Sequence, residues 1–475
     1  MYSKFFFSFF FLFFTGVLFS QNQDTTIWNL ERCINFAKEN NLNIKQQTLS
    51  SEIRKNILTQ SQYSRLPSIN AGANYNYNMG RTVDKYTNTF TENNVQSTNF
   101  FLSADMNLFN GFQTENSIRR NNYEFMAALA DCDKLKNDIS LNIASAYLQI
   151  LFNIELLKSA SERLNTTQTE VGRIQKMVDA GKLSENNLAD IQAQQANEEL
   201  SLLNSQNQLK NSYLVLKQLL DLSPETFFKI EIPNVASPEN AIIPFTIEEL
   251  YETSQQLPQI KAAEYRVKSY EKSLLISKGS ILPRLSLTGS YGTGYSDARK
   301  NYLVGTPLPT QIGYVETTNQ PVYTLQSTYT ETMYPFNNQL NDNAAKSIGL
   351  QLTIPIFNKH QAASDISNSR KNVEISNYAL MIEKNNLYKE IQSSFSDAES
   401  ALSKYKSSQK SMEANQKAFD LTSQKFELGM LNTTDYNTSK NNLAFAESTF
   451  LQAKYEFIFR LAILKFYSGQ AISIQ

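Results

Sequence analysis

Two hydrophobic periods alternate along the chain, and the alternation occurs twice. From Leu30 to Tyr63 apolar residues recur at steps of three and four, the spacing of a helix that buries one side. After Leu66-Pro67 the period drops to two. Ile69, Ala71, Ala73, Tyr75, Tyr77 and Met79 alternate with Asn70, Gly72, Asn74, Asn76 and Asn78, as in a strand with one apolar and one polar face. A second such run covers Phe100 to Leu108. The helical period then returns from Gln113 to Gly181 and continues beyond it through Leu188, Ile191, Leu202, Leu209, Leu216 and Leu219. The second half repeats the succession: a helical Ile247–Ser277, alternating runs at Leu285–Tyr295 and Ile348–Ile356, a long helix to Gly429, and a return through Leu443, Phe450, Phe457 and Leu464. Strands are accordingly expected at about residues 68–79, 99–109, 285–296 and 347–357.

The two copies keep register. Leu66-Pro67-Ser68-Ile69 returns as Leu282-Pro283-Arg284-Leu285, an offset of 282 − 66 = 216, and Asn43-Ile44-Lys45 returns as Gln259-Ile260-Lys261 at the same offset. Downstream, Leu108-Phe109-Asn110 matches Ile356-Phe357-Asn358 and Gly181-Lys182-Leu183 matches Gly429-Met430-Leu431, at 356 − 108 = 248. The second copy therefore carries an insertion of 248 − 216 = 32 residues. Asn110 to Gly181 maps onto Asn358 to Gly429 without a gap, the behaviour of a rigid element. Within it Leu135, Ile139, Ile143, Ala146, Ile150, Ile154 and Leu157, and in the second copy Leu387, Ile391, Phe395 and Leu402, trace a narrow coiled-coil-like seam. No proline and one glycine, Gly172, fall between Gln113 and Ala180, so an unbroken helix there extends about 100 Å. Gly181 and Gly429 suit the tips of helical hairpins because a tight reversal needs positive φ.

Each alternating run has about the ten residues that a tilted transmembrane strand needs. Past the N-terminal segment no uninterrupted apolar stretch of spanning length occurs, so a membrane crossing by this chain requires a closed barrel. Four strands cannot close one, since the smallest membrane barrels have eight, and the chain must then oligomerise in two, three or more copies. A soluble sheet lying on a helical core is the alternative. The polar stretches Gly80–Asn99 and Ser296–Lys346, the second absorbing the insertion, read as solvent-facing, extracellular loops.

Residues 1–20 combine Lys4 with the apolar run Phe5–Phe14, broken only by Ser8, and precede polar Gln21-Asn22-Gln23; this is the pattern of a secretory signal peptide cleaved near Ser20. A retained anchor is the alternative. No Cys follows the cut, so no lipid attachment is expected there. Charge is balanced, 44 Lys+Arg against 45 Asp+Glu, which offers nothing to nucleic acid. Cys33 and Cys132 read as buried thiols. The single histidine, His360, reads as a polar junction residue, and with no second His no metal site is expected. Gly289–Gly294 is glycine-rich but lies inside an alternating strand, and no nucleophile elbow, phosphate loop or paired-His motif is present. Neither an enzymatic activity nor a cofactor is expected.

This succession of signal peptide and two copies of helix, Leu-Pro, strand pair, long helix, glycine tip and return helix resembles the TolC-like outer-membrane efflux family, over essentially the whole mature chain. The resemblance implies a mainly α protein with a membrane β-barrel. Each chain would contribute a duplicated unit of long coiled-coil-like helices plus two β-hairpins, four strands in all, to a homotrimer with a twelve-stranded barrel in the outer membrane and an α-helical tunnel in the periplasm. It divides the chain into a first repeat at 21–220, a linker or equatorial segment at 221–246, a second repeat at 247–469 and a tail at 470–475. It also implies a periplasmic adaptor protein, an inner-membrane pump and outer-membrane lipid as partners. By position, the periplasmic gate residues would be Asp435 and, where the family has a second acid, Thr438 in the second copy, and Asn187 and Asp190 in the first, with Leu431 where the family has a basic residue and Phe426 where it has a tyrosine. Those departures remove a charged partner and a hydroxyl. The tips, Gly181 and Leu183 with Gly429 and Leu431, would meet the adaptor.

A passive export conduit is the leading functional reading. A secreted coiled-coil structural or adhesive protein would explain the helices but not four alternating strands at repeated positions. A periplasmic enzyme would need a reactive constellation that the sequence lacks. The exported substrate and the pump type are not written in this chain.

Overall fold

A computed structural model describes residues 26–91, 94–223, 225–233 and 242–470; the expected signal peptide, part of the 221–246 segment and residues 471–475 lie outside them. In chain order the described residues form β1 (Thr26–Trp28), α1 (Leu30–Asn40), α2 (Leu42–Tyr63), β2 (Ser68–Asn78), β3 (Thr82–Val83), β4 (Phe90–Thr91), β5 (Val95–Asn110), α3 (Gln113–Asp179) and α4 (Glu185–Leu219). There follow β6 (Phe228–Ile230), α5 (Ile247–Ser254), α6 (Pro258–Gly279), β7 (Arg284–Ser296), β8 (Lys300–Val304), β9 (Leu308–Tyr314), β10 (Pro321–Gln326), β11 (Tyr329–Met333), α7 (Phe336–Asp342), β12 (Ala345–Thr353), α8 (Gln361–Glu427) and α9 (Thr433–Tyr467).

In three pairs of helices the duplication holds to the residue. α3 and α8 both have 67 residues and start 361 − 113 = 248 apart; α4 and α9 both have 35 and start 433 − 185 = 248 apart. α2 and α6 both have 22 residues and start 258 − 42 = 216 apart. The junction before each long helix is duplicated as well. Gly111 and Phe112 have φ of 65° and 61°, and Lys359 and His360, 248 positions on, have 55° and 66°. Asn110 and Asn358 each accept, through Oδ1, from the backbone N–H four residues ahead. His360 is thus an exposed turn residue.

The chain divides into two compact units: residues up to Thr48, Cys132–Pro258 and Lys384 onward in one, Leu49–Asp131 and Gln259–Glu383 in the other. The second unit holds a four-stranded antiparallel sheet in the order β12-β7-β5-β2. The strands lie where alternation places them, with two differences. β5 begins at Val95, ahead of the expected 99, and β12 spans Ala345–Thr353 rather than 347–357. Pro355 lacks an N–H for the ladder, so pairing stops before it although Ile354 and Ile356 continue the alternation.

The stretches read as polar loops are folded. Gly80–Asn99 contains the β3/β4 pair, held by buried Asp84, whose carboxylate accepts from the Tyr86 and Thr87 N–H groups and from the Ser296 hydroxyl. The insertion forms two further antiparallel pairs, β8/β11 and β9/β10, and the short α7. Gln339 of α7 is fully buried, and its amide both accepts from the Ser296 N–H and donates to the Ser296 carbonyl, each at 3.0 Å. It takes the place of a neighbouring strand there.

The first unit is helical around a core of Trp28, Cys33, Ile34, Ile143, Tyr147, Ile150, Leu151, Leu216 and Phe228. β1 and β6 pair in parallel, Trp28 opposite Ile230, and the Tyr147 hydroxyl donates to the Glu231 carbonyl at 2.6 Å. Cys33 and Cys132 are free and buried, and burial pushes the Cys33 thiol up to about 12. α3 alone among the described helices holds a window long and apolar enough to cross a bilayer. Its Ile143, Leu148, Ile150 and Leu151 belong to this core, so packing accounts for that apolarity.

The single helices expected at Leu30–Tyr63 and Ile247–Ser277 are each broken. Asn41 has ψ 128°, and its side chain accepts from the Asn43 and Ile44 N–H groups while donating to the Leu219 carbonyl. In the second copy Pro258, which cannot donate an N–H, starts α6 instead of continuing α5.

Candidate functional site

The first functional feature is a sheet that gathers most of its apolar side chains on one face and most of its polar ones on the other, with Lys346 and Phe101 as exceptions. Ile69 pairs with Ala104, Ala104 with Gly289, and Gly289 with Ile348; the next rows are Ala71, Leu102, Tyr291, Lys346, and, in the other direction, Met106, Leu287, Leu350. Cross-strand partners share a face. One face therefore collects Ile69, Leu102, Tyr291, Leu287, Ile348, Leu350 and Leu352. The opposite face collects Asn70, Asn74, Ser103, Asp105, Ser290, Ser347 and Gln351. A register shift between Asn107 and Phe109 absorbs Leu108 and keeps Phe109 on the apolar face, opposite Leu285. The apolar face is bare: Ile348 is 86% exposed and Leu350 67%. Among the described residues no strand lies beyond β2 or β12, so both outer edges carry backbone groups without a ladder partner.

The helix tips are the second feature. α3 ends with Lys182 N–H donating to Met177 O at 2.8 Å and Gly181 N–H to Val178 O at 2.9 Å; α8 ends with Met430 donating to Lys425 O at 2.8 Å and Gly429 to Phe426 O at 3.0 Å. These are paired six-to-one and five-to-two bonds around a left-handed glycine, φ 65° at Gly181 and 73° at Gly429, and each glycine has open space around it. Asn432 then caps α9 by accepting from the Asp435 N–H at 2.8 Å. Leu183 packs against a cluster of Ile174, Ile191, Phe426 and Tyr436, so both hairpins meet within one apolar plug.

The gate positions that the resemblance implies divide in two. Phe426 is buried, stacked on Tyr436 at 4.5 Å with the Arg173 guanidinium 5.1 Å from its ring centroid, and Asn187 accepts from the Thr433 hydroxyl at 3.4 Å. Burial pushes the Tyr436 phenol up to about 12. Asp435, Asp190 and Thr438 are exposed, Leu431 is half-buried, and the Thr438 hydroxyl donates within its own helix to Thr434 O. Of the six, only Asn187 and Phe426 join the two hairpins.

A buried polar cluster nearby escaped the sequence reading. Lys440 of α9 donates to the Arg163 carbonyl at 3.2 Å and to the Thr167 hydroxyl, and stands 3.2 Å from Glu198 of α4. Glu198 also accepts from Thr167 and from Gln194, and Gln194 exchanges hydrogen bonds with Asn441. Lys440 and Glu198 are 5% and 7% exposed. Burial lowers the Lys440 pKa against the raising effect of Glu198. The signal was available: Lys440 is four after Tyr436 and three before Leu443, on the buried seam. Lys440→Met is expected to cost about 3–5 kcal/mol, since it strands a buried carboxylate, whereas Lys440→Met with Glu198→Met restores most of it. Thermal unfolding of the two singles and the double checks this; an additive double would contradict the coupling.

Among the described residues no group of three or more metal-ligating side chains occurs. The sequence profile of the outer membrane efflux protein family matches residues 33–221 and 250–470. A comparison with curated protein sequences found no match. Among solved structures, CusC, described with transmembrane channel formation, superposes with a TM-score of 0.74 at 15% identity, covering 93% of this chain and 92% of that one. The CmeC outer membrane channel of Campylobacter jejuni gives 0.71 at 16% identity, covering 94% and 86%. The outer membrane protein VceC of Vibrio cholerae gives 0.70 at 13%, covering 94% and 97%.

Proposed function

Since the chain belongs to the outer membrane efflux protein family, we propose that three copies close a twelve-stranded barrel in the outer membrane and carry solutes outward from a helical tunnel in the periplasm, as the exit duct of a tripartite efflux or secretion system. The observation that carries this reading is the two-faced sheet with two open edges. Its apolar face suits lipid, and its Asn, Ser and Gln face suits water. In hydrocarbon each unpaired edge amide or carbonyl costs several kcal/mol, so insertion without neighbours is prohibitive and assembly relieves it. The repeats at 21–220 and 247–469, joined through 221–246, then supply six similar sectors.

In this proposal the chain performs no chemistry and holds no cofactor. The tips with Gly181, Leu183, Gly429 and Leu431 meet a periplasmic adaptor, and an inner-membrane pump supplies the energy. Asp435 and Asp190, both exposed carboxylates near the starts of α9 and α4, give the periplasmic mouth a cation-attracting charge. Asp435→Asn is expected to lower cation over anion preference in planar-bilayer recordings; an unchanged reversal potential under a salt gradient would remove Asp435 from the mouth.

Deletion of the gene tests the function itself. The deletion strain is expected to become several-fold more sensitive to at least one class in a panel of dyes, detergents, antibiotics and metal ions, with recovery on re-expression. Unchanged sensitivity throughout, with no secreted product lost, would contradict an export role.

A further inference from the structure

We propose that β12 of one copy pairs antiparallel with β2 of the next copy in one register, Leu350 opposite Tyr75 and Ile348 opposite Tyr77, and that α8 of the first packs on α2 of the second through Ile375, Tyr378, Leu49 and Ile53. This rests on the closed-barrel reading and adds to it which residues meet.

A duplicated chain has one internal joint, where the first repeat meets the second. In the sheet that joint is β5 against β7, with Leu102 opposite Tyr291 and Phe100 opposite Thr293. In the helices it is α3 against α6: Tyr123 stacks on Tyr265 at 6.5 Å, the Ser269 hydroxyl donates to Glu124, and Arg266 pairs with Asp131. The complementary joint, from the second repeat back to the first, cannot form within one chain, because β12 and β2 are opposite edges of the sheet.

The offsets convert one joint into the other. Adding 248 carries β5 to β12, and subtracting 216 carries β7 to β2, so Leu102 and Tyr291 become Leu350 and Tyr75. The result passes a test it was not built on. Leu350 and Tyr75 both lie on the apolar face, as do Ile348 and Tyr77, whereas a slip of one residue would set Leu350 against Asn74 or Asn76.

The helices agree. α3 has neighbours on both sides, α2 through Arg54–Glu124 and α6 through Arg266–Asp131, while α8 touches α6 through Ser277–Ser369. Ala127 and Ala130 of α3 are 4% and 8% exposed, but their equivalents in α8, Ile375 and Tyr378, are 63% exposed each. The equivalents of Tyr265 and Ser269 in α2 are Leu49 and Ile53, each 60% exposed. Large apolar side chains are thus bare at positions whose counterparts Ala127, Ala130 and Ser269 are buried within the chain, and in this proposal the surface that covers them is the other end of a second copy. Charge fits as well: Tyr123 and Lys268, in contact at the internal joint, become Lys371 and Glu52.

Cysteine pairing in outer membranes bearing the full chain decides it. Antiparallel partners sit about 4.5–5.5 Å apart at Cα, within disulfide range. Leu350→Cys with Tyr75→Cys is expected to give reducible covalent oligomers on mild oxidation as the dominant linked pair, exceeding Leu350→Cys with Ala73→Cys or Tyr77→Cys by at least about fivefold. Each single variant, which retains buried Cys33 and Cys132, should stay unlinked. A dominant product from a shifted pair would overturn the register and leave the barrel standing. No product from any pair in membrane-inserted protein would overturn the pairing, and recovery of the unlinked chain in the soluble periplasmic fraction would overturn the barrel reading as well.

Discussion

Leu350→Arg is expected to abolish the assembled protein in the outer membrane, while Gln351→Arg, one position along the same strand, leaves assembly nearly unchanged. Leu350 stands on the apolar face opposite Leu287, and Gln351 on the polar face opposite Ser286. An arginine turned toward lipid at mid-depth costs roughly 2–4 kcal/mol per copy. In a ring every copy bears the cost, so it accumulates against the stability of one assembly. An arginine on the polar face keeps its hydration and adds only a charge to the proposed lumen. Quantifying heat-resistant oligomer in outer-membrane fractions of the two variants separates the readings. Equal loss in both would mean that the two faces are not distinguished by a membrane.

Gly111→Ala is expected to be strongly destabilising, with Gly279→Ala close behind. A Cβ on Gly111 would lie 2.3 Å from the Gly279 carbonyl oxygen, and one on Gly279 would lie 2.3 Å from the Gly111 oxygen. Both obstacles are backbone, so no side chain can rotate away. Forced overpacking costs about 1–3 kcal/mol. At Gly111, φ 65° adds the left-handed penalty of about 1–2 kcal/mol. The end of α6 thereby fixes where β5 turns into α3, which is where the sheet's strands hand over to the long helices. Gly172→Ala is the control: that glycine sits inside α3 with nothing near it, so alanine should be neutral or stabilising by about 0.5–1 kcal/mol. Melting temperatures of the detergent-solubilised variants test the ranking, and it fails if Gly111→Ala melts with the parent.

The repeat was legible because rigid elements conserve length. The offsets 216 and 248, read from short matches such as Leu66-Pro67 with Leu282-Pro283, reappear in the bounds of α2 and α6, α3 and α8, and α4 and α9. The strands were legible because a sheet with one apolar face has to alternate. What stayed hidden depended on tertiary partners. Asn41 ends α1 only because its side chain reaches Leu219 and the following amides. β1 pairs with β6 across two hundred residues and carries too few positions to show a period. The folding of the insertion turns on single groups such as Gln339, whose amide completes an edge that no pattern reveals. At the tips, position placed Phe426 among gate residues by resemblance, while its stacking on Tyr436 was beyond any spacing argument.

In the proposed function this chain works only as one sector of a closed ring. The mass of the detergent-extracted particle, taken by native mass spectrometry, tests it most directly. Three mature chains per particle are predicted. A single chain, stable and unaggregated, would contradict the closed ring.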